Sequence, residues 1–381
     1  MRNTLLLLFV SCFFACKQEQ KEIPPVTPLS GKATITYAKG FSIEEMGSGI
    51  TVIKISSPWP NADTAFTYAL IPKEIMAFTT LNRDDYDAII SVPVERIVVT
   101  STTHIPALEA LDVADRLVGF PNTEFISSKN TRERIDEGLV QELGNNERIN
   151  AEMVIALNPE VLVGFGIDNK NKAYQTLLQS NIPVVYNGDW TEETPLGKAE
   201  WIKFFAPFFK LEKKGDSIFK AIENAYNNTK LLTKKATGKP TVLTGGLYKD
   251  VWYVAGGKSW MAQFLNDAHT DYLWKDSPET GSLSLSLESV YDKAREAEFW
   301  LNPSMLVSYK EMVGANKHYK EFEAFRNNNI YSNTIPKGAT GGLLFYELAP
   351  HRPDLVLKDL IHIFHPELIP NHTLFFFKPL E

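Results

Sequence analysis

A chain of 381 residues that is 44% hydrophobic and 22% charged has apolar mass for one large or two ordinary domains, and too much of it for a disordered polypeptide. Its formal charge of −7 leaves no basic field for a phosphate backbone, which sets nucleic acid aside as a partner. Cys12 and Cys16 are its two cysteines, so the body of the protein has neither disulfide nor thiolate metal site and must be held by packed core.

Residues 1–15 read as an export signal: Arg2 is positive, the apolar run 5–14 is too short to span a bilayer, and Ala15 precedes Cys16. Residues 16–32 are polar, charged and proline-bearing, the composition of a flexible tether. An N-terminal lobe is expected over residues 33–190. It opens with a β-rich entry segment, about 34–70, where β-branched and aromatic residues alternate and Gly47 and Gly49 mark turns. Residues 84–91 then lead into a short apolar run at 96–100, a helical 106–111 and a second apolar run at 118–120, which is βαβ rhythm. Asn150 is placed to cap a helix over 151–157, Asn158-Pro159 ends it, and 161–163 reads as a buried strand. A helix at 172–179 and a strand at 184–186 complete a mostly parallel sheet, whose ligands belong at the carboxyl ends of its strands.

Residues 191–238 read as connecting helices. Thr194-Pro195 starts one that is rich in Trp201, Phe204, Phe205, Phe208 and Phe209, and Pro207 breaks it. A long helix over 211–236 follows, with Leu211, Gly215, Ile218, Ile222, Ala225, Thr229 and Leu232 on one stripe, and Gly238 then Pro240 as its left-handed stop and breaker. At about 1.5 Å per residue it spans roughly 39 Å, long enough to join two lobes; the alternative is a core helix within one domain. The rhythm restarts over 239–381, a C-terminal lobe with strands near 241–243, 251–254, 285–287, 299–301 and 330–331 and helices near 260–266, 288–294, 319–325 and 354–363. The segment from Glu152 to Leu157, followed by Pro159-Glu160 and a strand, has a counterpart from Glu288 to Lys293, followed by Ala297-Glu298 and a strand. The second lobe is therefore expected to repeat the plan of the first.

Four stretches in order carry a family resemblance: Arg96-Ile-Val-Val-Thr; residues 107–120; residues 150–163; and Arg352-Pro-Asp-Leu-Val-Leu-Lys-Asp-Leu with His365-Pro-Glu. Around a lone long helix they resemble the periplasmic substrate-binding proteins of iron-siderophore, haem and cobalamin ABC importers, from about residue 93 to 368. The resemblance implies an α/β fold of two Rossmann-like lobes, each a mostly parallel sheet with flanking helices, joined by one long rigid backbone helix with the ligand cleft between them. It implies as cargo a metal chelate, foremost a ferric siderophore, with cobalamin or haem as alternatives, and as partners an ABC permease dimer with its ATPase. The junction at Cys16 resembles a bacterial lipoprotein signal, although Phe13 and Phe14 stand where that pattern has an aliphatic and a small residue. A monomer anchored by lipid at Cys16, facing the periplasm, is expected, with no resident cofactor or metal. The resemblance also puts the permease-docking glutamates on Glu152 and Glu288; first-turn stabilisation by the helix dipole is the simpler reading of both.

A flat, partly aromatic chelate needs aromatic walls and a few directed polar groups. Phe165, Trp190, Trp252, Tyr253, Trp260 and Phe345 stand near expected strand ends, each of a type that also fills cores. Phe345 occupies the place where the resemblance puts a corrinoid-packing aromatic, but Leu344 replaces the acidic residue of cobalamin binders. His104 follows the first strand and reads either as an axial ligand in the cleft or as a hydrogen-bonded capping histidine. His362 and His365 lack a third metal ligand in a recognisable pattern. No enzyme is expected. Gly257-Lys258-Ser259 mimics the end of a phosphate loop, but Trp252 sits at that motif's first glycine, and no Gly-x-Ser-x-Gly or zincin signature occurs. A surface hydrolase or carbohydrate-binding lipoprotein is the rival reading.

Overall fold

The computed structural model describes residues 31–381 except Asn169. The expected signal, Cys16 and the tether to residue 30 lie outside the described residues.

The chain enters through a five-stranded sheet, β1 (Gly31–Lys32), β2 (Phe41–Met46), β3 (Ile50–Ile55), β4 (Phe66–Pro72) and β5 (Ala88–Val92), in sequence order. Its pairs are antiparallel until β5, which runs parallel to β4. The entry segment therefore extends beyond residue 70, and the stretch expected to open the βαβ lobe is its last strand. A parallel partner needs a crossover, and residues between β4 and β5 provide it through short 3-10 turns. Alternate side chains, Ile53 and Ile55, Tyr68 and Leu70, Ile90 and Val92, enter the core of the first lobe.

That lobe contains β6 (Ile97–Val99), α1 (Ile105–Ala110), β7 (Leu117–Phe120), α2 (Lys129–Asp136), β8 (Gln141–Glu142), α3 (Ala151–Leu157), β9 (Val161–Phe165), α4 (Lys172–Gln179) and β10 (Val184–Asn187). Its sheet has the order β10-β9-β6-β7-β8, all parallel. The short β-branched runs at Ile97–Val99 and Val161–Phe165 read apolar throughout because helices cover both faces.

The connection consists of α5 (Pro195–Glu200), α6 (Ile202–Phe205), a 3-10 turn Ala206–Phe209 and the long α7 (Glu212–Leu232). The second lobe contains β11 (Thr241–Thr244), β12 (Gly246–Tyr248), β13 (Val251–Ala255), α8 (Trp260–Asp267), β14 (Asp271–Tyr272), β15 (Ser282–Leu285), α9 (Leu287–Ala294), β16 (Phe299–Leu301), α10 (Tyr309–Ala315), α11 (Glu323–Arg326), β17 (Ile330–Ser332), α12 (Leu344–Leu348), α13 (Pro353–Phe364) and β18 (Lys378–Pro379). Its main sheet, β14-β11-β16-β17-β18, is parallel except for β18, and β12-β13-β15 form a separate antiparallel sheet. The two lobes share one wiring. In each, the leading strand (β6 or β11) lies between the next strand of its sheet (β7 or β14) and the strand that follows α3 or α9 (β9 or β16), which in turn pairs with β10 or β17.

Helix α7 joins them. Its buried face is Gly215, Phe219, Ile222, Tyr226 and Thr229, so the expected stripe is corrected at Ile218 and Ala225: the larger Phe219 and Tyr226, each one position on, take the centre. Phe219 and Ile222 belong to the core of the first lobe and Tyr226 to that of the second. A Cβ on Gly215 would stand 2.8 Å from the Cβ of Ala206, so a bare backbone is what lets the helix lie against the connector. The helix ends in a 3-10 turn, Thr233–Lys235, and Gly238 does not take the left-handed conformation expected of it.

Candidate functional site

The cleft between the lobes begins where the parallel strands end. In the first lobe Thr100 Oγ1 accepts from the Phe165 amide (2.9 Å) and shares a hydrogen bond with the Tyr174 hydroxyl (3.2 Å). In the second, Thr244 Oγ1 accepts from the Ala255 amide (3.1 Å) and shares one with the Tyr272 hydroxyl (3.1 Å). A threonine at the tip of the leading strand thus ties the neighbouring chain on each side of the cleft.

Among the described residues, two neighbouring cavities lie in it. One, of about 410 Å³, is lined by Thr100, Ser101, Thr102, Phe120, Phe125, Asn146 and Phe165 of the first lobe and by Leu343 and Tyr346 of the second. Among the described residues its walls are rings, hydroxyls, amides and apolar groups, with no carboxylate, ammonium or imidazole. The other, of about 360 Å³, is lined by Trp190, Thr191, Glu192, Glu193 and Lys198 on one side and Ala255, Ser259, Trp260 and Met261 on the other, and Pro60 of the entry sheet reaches its edge. Phe165 and Trp190, one in each cavity, have ring centroids 5.5 Å apart, which makes the cavities neighbours along one aromatic wall. Trp260 backs onto Phe345 at 5.6 Å.

The lobes also touch across a clasp at the rim of the first cavity. Glu347, 2% exposed on α12, accepts from the amides of Ser127 (2.5 Å) and Ser128 (2.9 Å) at the start of α2, and Thr340 Oγ1 donates to the Glu124 carbonyl (2.7 Å). Burial raises the Glu347 carboxyl to about 7; the two serine amides oppose that shift, and nearby Glu109 adds to it.

Of the aromatics expected in the cleft, Phe165, Trp190 and Trp260 line it. Phe345 is buried behind Trp260, against Phe376 and Phe377, and supports the wall from the rear. Trp252 is a correction: it is fully buried, stacks on Trp300 at 5.2 Å and donates its indole N–H to the Thr244 carbonyl. Strand alternation explains the error, since Trp252 points into the core, whereas Tyr253 on the opposite face is exposed and lines neither cavity. His104 is a second correction. It is fully buried with its ring 5.3 Å from Phe205, and burial lowers it to about 4, so a neutral imidazole is sealed beneath the floor. His362 and His365 hydrogen-bond to the carbonyls of Ile369 and His269, and no cluster of three metal-ligating side chains occurs among the described residues. Lys198 on α5, Phe120 at the end of β7, Tyr346 on α12, and Phe125 and Pro60 on connecting segments were missed, because the packing of elements distant in sequence brings them to the cleft and nothing local in the sequence marks them.

Glu152 and Glu288 are exposed at equivalent places, the second residue of α3 and of α9, behind the capping side chains of Asn150 and Ser286. Backbone and Ser286 hydrogen bonds lower the Glu288 carboxyl. Because α3 and α9 precede the matching strands β9 and β16, the shared wiring sets both glutamates in corresponding positions.

Known proteins are similar to this chain in sequence and in fold. An uncharacterized lipoprotein of Methanocaldococcus jannaschii, MJ0878, is 26% identical over 299 residues, covering 76% of this chain and 69% of that protein. Among solved structures, a possible iron-binding periplasmic solute-binding protein of Staphylococcus epidermidis superposes with a TM-score of 0.57 at 17% identity, over 72% of this chain and 99% of that one. The periplasmic haem-binding protein HutB of Vibrio cholerae does so with 0.54 at 19% identity, over 69% and 99%. The family model for periplasmic binding proteins matches residues 97–334, beginning at the first residue of β6 and leaving the entry sheet outside it. Two lobes of one wiring, a single helix seated in both cores and that match over most of the sequence together make this chain a member of the periplasmic binding protein family.

Proposed function

We propose that the protein is the substrate-binding component of an ABC importer, anchored by lipid at Cys16, which captures a metal chelate and hands it unchanged to a permease. The observation that carries this reading is the cleft itself: aromatic walls from both lobes, around hydroxyls and amides in one cavity and around Lys198, Glu192 and Glu193 in the other. Such a surface suits a flat complex whose metal is already wrapped by its own chelator, and a ferric siderophore is the cargo favoured. The haem alternative leaned on His104, whose imidazole is closed off from the cleft. The cobalamin alternative is weakened by Leu344, an apolar residue packed against the core of the second lobe. The names of the similar structures, one possibly iron-binding and one haem-binding, agree with this class of cargo.

Docking through Glu152 and Glu288 fits the reading, because α7 fixes the spacing of two acidic knobs against a two-fold permease face. The test is to titrate the purified protein with ferric siderophores, haem, cobalamin and free metal salts, following tryptophan quenching and the visible spectrum. Saturable binding of a chelate that is recovered intact is expected. Turnover of a ligand, or saturable binding of sugars alone, overturns the assignment.

A further inference from the structure

Lys198 stands out in the second cavity. It is 9% exposed, and its ammonium donates to the carbonyls of Asp189 (3.0 Å) and Trp190 (3.1 Å) under the face of Trp260, 5.3 Å from the ring centroid. It enters no ion pair among the described residues. Two of the carboxylates near it serve elsewhere: Glu192 Oε1 takes the amides of Lys39 and Gly40 and the Trp201 indole, and Glu193 turns outward to Lys39 at 3.7 Å. Burial lowers this lysine's pKa, and Asp189 and Glu192 oppose the shift from a distance. An ammonium has three donors, of which two are used, and a buried cation that touches no carboxylate directly gains from an anion placed against its free donor. The carbonyls that hold it belong to the first lobe and the ring it faces to the second, so the cation stands at the seam where a cargo touches both.

Resting on the reading of the cleft as a chelate site, we propose that Lys198 selects the cargo: its remaining N–H donates to an anionic oxygen of the chelate, of the carboxylate or catecholate kind, while the neighbouring cavity, whose described lining carries no charge, takes the uncharged part. The protein therefore prefers acidic chelates to neutral ones.

The test compares wild type, Lys198→Met and Lys198→Arg, titrated with an iron(III) tris-catecholate chelate, iron(III) citrate and a neutral iron(III) trihydroxamate, with thermal melts as the check on folding. Wild type is expected to bind at least one of the two acidic chelates more tightly than the trihydroxamate. Lys198→Met should weaken acidic chelates by about tenfold or more and the neutral one by less than about twofold, with Lys198→Arg recovering much of the loss. Equal losses for acidic and neutral chelates, or none, overturn the proposal and leave the chelate reading standing. If Lys198→Met does not fold, the wild-type competition decides, and preference for the trihydroxamate overturns it. Wild type that binds no chelate removes the chelate reading and this proposal with it.

Discussion

Glu200 is fully buried on α5, and its carboxylate receives three consecutive backbone amides of the segment before β2: Thr36 (2.9 and 3.0 Å to its two oxygens), Tyr37 (2.7 Å) and Ala38 (2.9 Å). Lys203 Nζ adds a contact at 3.1 Å. Replacing it with glutamine keeps the shape but removes the charge and leaves one acceptor oxygen, so an amide NH2 must face N–H donors. Bonds to a charged group contribute about 1.5–3 kcal/mol each, and at least two are lost, which puts the cost of Glu200→Gln at roughly 3 kcal/mol or more. The damage should be local first: amide hydrogen exchange at Thr36, Tyr37 and Ala38 should accelerate before the parallel sheets respond, and urea unfolding should report the free-energy loss. The half-exposed Glu193, changed to glutamine, is the control. Exchange at those amides unchanged by Glu200→Gln, or a loss below about 1 kcal/mol, refutes the claim that this carboxylate pins the entry sheet to the connector.

Further outcomes are expected elsewhere. Because burial raises the Glu347 carboxyl to about 7, above the ordinary value of 4.5, the clasped state binds a proton that the open or unfolded state releases; stability from this group is full below about pH 4.5 and is lost as pH rises through 7. Melting temperature should therefore fall between pH 5 and 8 with a component that Glu347→Ala removes, and an unchanged slope in that variant counts against the clasp. Trp252→Ala should cost about 3–5 kcal/mol in denaturant unfolding as a core truncation, whereas Trp190→Ala, at the half-buried cleft wall, should cost far less stability but weaken chelate binding; the reverse pattern contradicts the placement of both rings. Reversing charge at Glu152 and Glu288 together should abolish uptake in cells while quenching titrations stay as in wild type, and loss of affinity argues against a docking role.

The periodic elements were legible because their physics is local. Apolar runs such as Ile97–Val99 and the 3.6-residue repeat of α7 announce themselves in any context. The paired segments at Glu152 and Glu288 even exposed the common wiring, since a helix followed by a buried strand is one packing unit and leaves the same imprint in each lobe. Failures arose where facing decides. A one-residue step in β13 separates Trp252 in the core from Tyr253 in solvent, and neither chemistry nor spacing discloses which way the strand is turned. The placement of His104 and Lys198 is hidden from the sequence for a related reason. Whether an imidazole or an ammonium meets the cleft is fixed by chain segments far away in sequence, such as Phe205 beside one and Trp260 beside the other.

The seating of α7 in two cores bears on how the molecule assembles. Neither half owns the helix: cut between α7 and β11, the leading fragment would present Tyr226 to water, and the trailing fragment would lose the hydroxyl that donates to Asp267 at 2.6 Å. Each half therefore completes its interior only in the company of the other. Melting should be one cooperative event, and isolated halves should be sticky and poorly structured until they are mixed.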